Sequence, residues 1–382
     1  ITDSMISSLT KYFKTFYSYF KIDMPLLLLI IILAAFGLLI LYSSSGESID
    51  MVYRQLTRFA IATIVMIAVS QIPPLYLNRA APTLITVGIF LLILVLFFGS
   101  SGGGAQRWLN LGFIKFQPSE MMKIIVPISI ASILSERTLP PRPLMSFISL
   151  VVIAVVVALI ALQPDLGTSL LIGASGIYVL FFSGVSIRLV ENTWLNLGAL
   201  LGLVSGLLYV AWNYLLMPYQ QNRIITLFNP GSDPLGAGYH ITQSKIAIGS
   251  GGLTGKGLNH GSQSQLDFVP ESSTDFIFSV LAEETGFIGV LFLLFIYLLI
   301  IYRCMDLSMR CEDNFSRLLG ASLTFIFFTY IFVNIGMVSG LLPVVGVPLP
   351  LISYGGSSLL TLMTSLGIIM SIYKHKTPRY IK

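Results

Sequence analysis

The stretch Leu266 to Glu284, LDFVPESSTDFIFSVLAEE, gathers Asp267, Glu271, Asp275, Glu283 and Glu284 into one short segment of a mostly apolar chain. A carboxylate beside hydrocarbon is costly to keep ionised, so a cluster placed where a polar loop runs into an apolar helix calls for a reason. The chemistry it suits is proton transfer. Asp275 stands at the start of the apolar run Phe276 to Leu281, where partial desolvation raises a carboxylate's pKa and makes it a better base than one in open water. Ser273, Thr274 and Asp275 also suit a helix cap, so two readings of this position stand side by side. Glu283 and Glu284 lie deeper on the same helix, where at least one must face the interior and pair with a base.

Other residues carry weaker signals. Glu120 and Lys123 are spaced i,i+3 behind Gln117-Pro118, so they can pair on one helix face, as a self-contained ion pair or as part of a site. Before them comes SGGGAQRWLNLG, with Arg107 and Trp108. Tryptophan at an interface is a belt residue, whereas arginine can grip an anionic headgroup. Arg223, Lys245 and Lys256 accompany glycine-rich turns whose exposed N–H groups could cradle a diphosphate. His240 and His260 have no cysteine or second histidine at ligand spacing, so no metal site is read here. No cofactor is called for; a loosely held Mg²⁺ or Mn²⁺ between a carboxylate and a diphosphate would leave no signature. From Asn334 to Ser358, Pro343, Pro348 and Pro350 interrupt helicity and Gly355-Gly356 permits close backbone approach. Irregular backbone at membrane depth must be buried or line a cavity, so this segment reads as a cleft wall, with a plain outer turn as the alternative.

These residues are positioned by a chain of 382 residues that is 55% hydrophobic and 10% charged, with mean hydropathy +0.86. Soluble domains carry roughly a quarter charged residues, so the fold class is an all-α polytopic membrane protein. Ten candidate spans of crossing length follow: 24–43, 55–72, 77–99, 118–135, 144–162, 165–184, 192–214, 276–302, 316–340 and 353–373. The first lacks a small-residue cleavage site and reads as a retained helix. Residues 1–23 form an N-terminal segment whose part 12–20 suits an interfacial helix, 24–373 one membrane domain, and 374–382 a basic tail. Lys and Arg concentrate in the segments that share a side with both termini, which places the termini in the cytoplasm and the long loop 215–275, between helices 7 and 8, outside. Within it, 239–248 suits a short surface helix. The net charge of +5 is distributed between spans rather than along one face, which fits membrane lipids as partners and no nucleic acid. Cys304 and Cys311 fall in one expected cytoplasmic loop and read as reduced thiols. No internal inverted repeat is evident by eye.

Five segments, RWLNLGFIKFQPSE, LQPDLGTS, NPGSDPLGAGYHITQSKIAIGSGGLTGKG, QLDFVPESSTDFIF and GLLPVVGVPLPLISYGGSS, together resemble the SEDS family (shape, elongation, division and sporulation) over nearly the whole chain. The spacing of GKG to HGSQSQLDF is more similar to its RodA branch than to its septal branch, FtsW. The resemblance implies a ten-helix peptidoglycan glycosyltransferase polymerising lipid II into glycan strands at the outer face of the bacterial inner membrane during elongation. It implies undecaprenyl diphosphate as leaving group and a class B penicillin-binding protein as the transpeptidase partner. Asp275 matches the family's essential aspartate. Asp267 matches an acidic companion that is often Glu, and Trp108, Lys115, Gln117, Glu120, Lys123 and Gln220 match its polar cavity residues. Lys115 stands where some relatives have Arg, which would weaken bidentate phosphate recognition. With Arg223 and Lys245 from the loop, these are the expected substrate-binding residues. Two rivals remain: a lipid II flippase, which predicts charges along a pathway at the bilayer midplane, and a non-catalytic cell-wall scaffold.

Overall fold

In hydrocarbon every backbone N–H and C=O must be bonded within the chain, so apolar runs of this length become helices. The computed structural model describes residues 22–102, 105–110, 115–135, 139–185, 198, 201–202, 205–206, 209–233, 236–265, 268 and 271–375. In chain order its elements are α1 (Met24–Ser44), α2 (Ile49–Val69), α3 (Pro74–Phe98), β1 (Ser100–Gly102), β2 (Ala105–Asn110), β3 (Lys115–Phe116), α4 (Pro118–Ser135), α5 (Pro143–Ala161), α6 (Leu166–Phe182), α7 (Pro218–Phe228), α8 (Ala237–Ser250), α9 (Ser262–Gln265), α10 (Ile277–Met309), α11 (Asn314–Val338) and α12 (Ser357–Lys374). Of these twelve helices, eight, all but α6 to α9, are long and apolar enough to cross a membrane, and α6 is a shorter apolar helix. The chain is a multi-pass, helical membrane protein. Most of the expected seventh span, the interfacial segment 12–20, Asp267 and the tail beyond His375 lie outside the described residues.

Helix starts follow from side-chain acceptors placed at chain entries. Asp23 takes the N–H of Leu26, Ser48 that of Met51, Asp165 that of Thr168 and Asp313 that of Ser316. Two boundaries differ from expectation for a physical reason. The second span begins at Ile49 because Ser48 caps it and Asp50 occupies its first turn, so Arg54 and Arg58 ride on the helix. The eighth runs on to Met309 because Arg303–Asp306 and Arg310–Asp306, at 2.8 and 2.7 Å, extend it past the apolar run. Cys304 is therefore helical rather than in a loop, and both it and Cys311 are buried.

The inner helices are α4, α11 and α12, with 78%, 67% and 61% of their most apolar windows buried, against 22% for α2 and α3. Around them α12 packs on α2, α3 on α4, α6 on α4, α5 and α11, and α10 on α1 and α11. Between α3 and α4 the glycine-rich stretch that sequence left without regular structure forms a small antiparallel sheet of order β1-β2-β3, pairing Ser100 with Trp108 and Asn110 with Lys115. The expected surface helix at 239–248 is α8. α10 breaks at Gly286 (φ 66°, ψ −167°), a conformation suited to glycine. The turn 251–257 holds both sides of the break: Lys256 and Gly257 donate their N–H to the carbonyls of Glu283 and Glu284 on the first piece, Ile277 to Thr285, and Phe287 and Ile288, after the break, donate to those of Gly252 and Leu253.

Candidate active site at the loop end of the bundle

The turn that enters α10 presents Asp275. Phe276 is the N-cap and no side chain caps the helix, so the capping alternative is not what is found. The backbone here is clamped from α11 and the irregular segment after it. Asn334, fully buried, donates from Nδ2 to the carbonyls of Asp275 (2.9 Å) and Val347 (2.6 Å). Ser353 Oγ donates to the Thr274 carbonyl at 2.6 Å, and the Tyr354 N–H to that of Ser273 at 2.9 Å. The Asp275 carboxylate itself takes no hydrogen bond from a described residue. It faces a cavity of about 430 Å³ lined also by Tyr219, Asn222, Arg223, Asp233, His240, Glu271, Phe276, Val344 and Gly346. Burial, reinforced by Glu271 and opposed by Arg223, pushes its pKa up to about 6.

Arg223, on α7, is the fixed cation of this cavity. Its Nη1 donates to the Val344 carbonyl at 3.0 Å and its guanidinium lies 5.7 Å from the Tyr219 ring centre, and it forms no ion pair with a described residue. His240, on α8, stacks on Phe276 at 5.6 Å. Burial holds its pKa below the ordinary value despite Glu271 and Asp233 nearby, so the ring is neutral at neutral pH. Val344 and Gly346 belong to the proline-interrupted segment, which walls the cleft as its sequence suggested.

A second, smaller hollow of about 140 Å³ adjoins through Tyr219, Arg223 and Val344 and is lined by Arg107, Asp165 and Gln220. Arg107 lies 3.6 Å from Asp165 and donates to the Pro164 carbonyl at 2.8 Å; Gln117 Nε2 donates to Asp165 at 3.3 Å. Gln220 accepts the Met217 N–H at 3.0 Å and donates to the Tyr219 hydroxyl at 3.0 Å.

Of the residues singled out in the sequence, Asp275, Glu271 and Arg223 thus share one cavity, with Gln220 and Gln117 beside it. Trp108 (half-buried in β2), Glu120, Lys123 and Lys245 do not line it. Glu120 and Lys123 pair at 2.6 Å among the inner helices, with Thr361 donating to Glu120 at 3.3 Å and the Tyr330 ring 5.1 Å from the ammonium. Lys245 is exposed on α8 and lies along Gly340. For Lys115 only the β3 backbone is described, and Asp267 is not. The glycine-rich turn is not an open diphosphate cradle. A Cβ on Gly251 or Gly255 would stand 2.1 Å from the carbonyl oxygen of Ala282 or Glu284, so the turn faces protein, and Lys256 is bound to Glu283 at 2.7 Å.

Sequence reasoning missed Asn222, Asp233, His240 and Gly346 as cavity residues and Asn334 as the clamp. Asp233 and His240 were within reach, since NPGSDPLGAGYH stood out as a structured loop. Asn334 was less so, because one amide in an apolar span does not announce its partner. Among the described residues no group of three or more His, Cys, Asp or Glu is placed to hold a metal ion.

The family model of the FtsW/RodA/SpoVE cell cycle proteins matches residues 24–378. The peptidoglycan glycosyltransferase MrdB of Escherichia coli K12 is 48% identical over 363 residues, which covers 95% of this chain and 96% of MrdB. The probable peptidoglycan glycosyltransferase FtsW of Idiomarina loihiensis is 34% identical, covering 92% and 86%. Among solved structures, a chain of a peptidoglycan synthase complex that coordinates polymerization and crosslinking superposes with TM-score 0.79 at 29% identity, over 94% of this chain and 99% of that one. The rod shape determining protein RodA of Thermus thermophilus follows at TM-score 0.69 and 28% identity, over 93% and 97%. With a match along almost its whole length and relatives this similar, the chain belongs to the SEDS family of FtsW, RodA and SpoVE proteins.

Proposed function

We propose that this chain is a peptidoglycan glycosyltransferase of the bacterial cytoplasmic membrane that polymerises lipid II during elongation, with Asp275 as general base. The observation that carries the reading is the Asp275 carboxylate, half-buried, uncommitted to any described donor, and facing a cavity that also holds the cation Arg223. A base with a pKa near 6 is ionised at neutral pH yet close enough to it to take a proton effectively. The acceptor sugar's 4-hydroxyl gives its proton to Asp275 while its oxygen bonds to C1 of the growing strand. The C1–O bond to undecaprenyl diphosphate breaks, and the electron pair leaves with the phosphate oxygen. A diphosphate leaving group needs no protein acid, only positive charge where its own charge develops. Arg223 and, across the adjoining hollow, Arg107 are the cations placed to supply it.

Both termini lie in the cytoplasm on this reading, and the cavity opens to the periplasm. A class B penicillin-binding protein is the crosslinking partner, in keeping with the neighbour that comes from a synthase complex. Transport is the weaker reading. Its best support, the Glu120–Lys123 pair among the inner helices, is an ion pair 2.6 Å apart with a Thr361 bond, rather than a string of groups along a path. The deciding experiment supplies purified lipid II to the purified chain with and without its partner. Glycan product from the wild type and none from Asp275→Asn is expected; product from the variant would remove Asp275 from the role of base.

A further inference from the structure

Glu284 lies on the first piece of α10 and is 1% exposed. Its Oε1 accepts the hydroxyl of Ser43, at the end of α1. The same Ser43 oxygen accepts the backbone N–H of Asn259 at 3.2 Å. The second carboxylate oxygen, Oε2, is buried and has no hydrogen-bond partner among the described residues. A second orphan lies on Asn259, whose Oδ1 is likewise buried without a donor. That amide cannot be turned over, because its Nδ2 donates to Glu47 at 2.7 Å and the reverse orientation would set oxygen against a carboxylate.

Two turns, 43–47 after α1 and 257–260 before α9, therefore meet beside Glu284, and two buried oxygens there, Glu284 Oε2 and Asn259 Oδ1, are left without a donor. They bring two carboxylates, one amide oxygen and a hydroxyl into one neighbourhood. The nearby ammonium, Lys256, is bound to Glu283. Neither Glu284 nor Glu47 forms an ion pair with a described residue, and His260, the closest base, is exposed with its Nδ1 on the Leu258 carbonyl at 2.8 Å. Ser43 and the Asn259 backbone donate to the Glu284 carboxylate, but its Oε2 has no partner of its own, and a buried oxygen left unpaired is costly.

We propose that Glu284 Oε2, Asn259 Oδ1 and Glu47, oriented through the Ser43 hydroxyl, form an oxygen-only site for a hard divalent cation of the Ca²⁺ class. The absence of thiol or imidazole from the donor set argues against zinc. Calcium rather than magnesium fits an irregular mixture of carboxylate and amide oxygens completed by water. The ion staples the α1–α2 turn to the turn 251–260 and to the first piece of α10, whose entry carries Asp275. It is a separate site from the Asp275 cavity, which none of these residues lines.

The test uses the purified full chain in detergent, stripped with a chelator and titrated with Ca²⁺, read by thermal unfolding and by Tb³⁺ luminescence sensitised through Tyr42. A saturable rise in unfolding temperature is expected for the wild type, with apparent Ca²⁺ affinity at least tenfold weaker in Glu284→Gln and weaker in Asn259→Ala. Asp275→Asn should keep the wild-type affinity, which separates this ion from any held in the cavity. A wild type indifferent to Ca²⁺, or a Glu284→Gln that responds as the wild type does, overturns the proposal; in the former case a Glu284→Gln more stable than wild type would place a proton on Oε2 instead. Should Glu284→Gln fail to fold, Asn259→Ala decides by the same two readouts: unchanged affinity refutes the site and weakened affinity supports it.

Discussion

A Cβ built on Gly346 would stand 3.3 Å from Oδ2 of Asp275, and Gly346 has φ +74°. The segment between α11 and α12 therefore approaches the carboxylate with bare backbone, leaving the cavity side of the acid open. Gly346→Ala adds a methyl group against that oxygen and forces an L-residue into the left-handed region, which costs about 1–2 kcal/mol. The chain should still fold, and polymerisation of purified lipid II should fall at least tenfold with little change in unfolding temperature. Full turnover in this variant would mean that Oδ2 is not the oxygen that meets the substrate.

Asp275 itself should show a trade between stability and activity. Its pKa is raised from 3.8 to about 6 chiefly by burial, so the ionised form is the one the fold disfavours. The sign follows: stability from this group is fully present below 3.8 and is lost as pH rises through about 6. At neutral pH the ionised carboxylate should cost the wild type on the order of 3 kcal/mol. Asp275→Asn, always neutral, should unfold at a higher temperature than wild type at pH 7.5, with the difference vanishing near pH 4. Its polymerisation should be at background, while wild-type turnover declines as pH drops below about 6. An unfolding temperature equal to wild type at both pH values would refute the burial account.

Asn334 should behave as a positioning residue. Its amide holds the carbonyls of Asp275 and Val347 together from a fully buried place, and Asn334→Leu removes both donors at once. Leaving two buried carbonyls unpaired costs about 2–4 kcal/mol. With the entry to α10 released, kcat should fall more than KM rises, because the base is misplaced rather than the substrate unbound. If destabilisation comes with unchanged kcat, the clamp serves folding alone.

How much of this was legible beforehand depends on where a residue's meaning comes from. The apolar runs announced their helices, since length and hydropathy alone decide what can cross hydrocarbon. Asp275 stood out because a charge at the edge of such a run is rare, and the paired spacing of Glu120 and Lys123 foretold their contact. The glycine-rich turn misled for the opposite reason. Its glycines signal close approach, but the sequence does not say to what, and the partner proved to be the kinked helix beside Gly286 rather than a ligand. Asp233 and His240 sit in a loop that its composition marks as structured, but that they and Gly346 line one cavity with Asp275 is decided by long-range packing, which a single chain read in order does not reveal. Charge alone also overextended α10's loop, because i,i+3 and i,i+4 pairs around Asp306 carry the helix past its apolar span.

The Lys256–Glu283 pair should be asymmetric under mutation. Glu283 is 0% exposed and collects Lys256 at 2.7 Å, Gln263 N–H at 3.0 Å and Ser262 Oγ at 3.2 Å, while the Lys256 side chain is 27% exposed. Removing the lysine leaves an anion sealed in protein; removing the acid leaves an ammonium that can turn to water. Lys256→Met should therefore cost about 3–4 kcal/mol and Glu283→Gln distinctly less. In the double variant the coupling should recover part of the Lys256→Met loss, as measured by thermal or chemical unfolding of the purified protein. Because this pair fastens the turn 251–257 to the helix that begins beside Asp275, the damaged single variant should also lose polymerase activity, and the double variant should regain some of it. Equal costs for the two single substitutions would show that Lys256 is as deeply committed as its partner and that the predicted asymmetry does not exist.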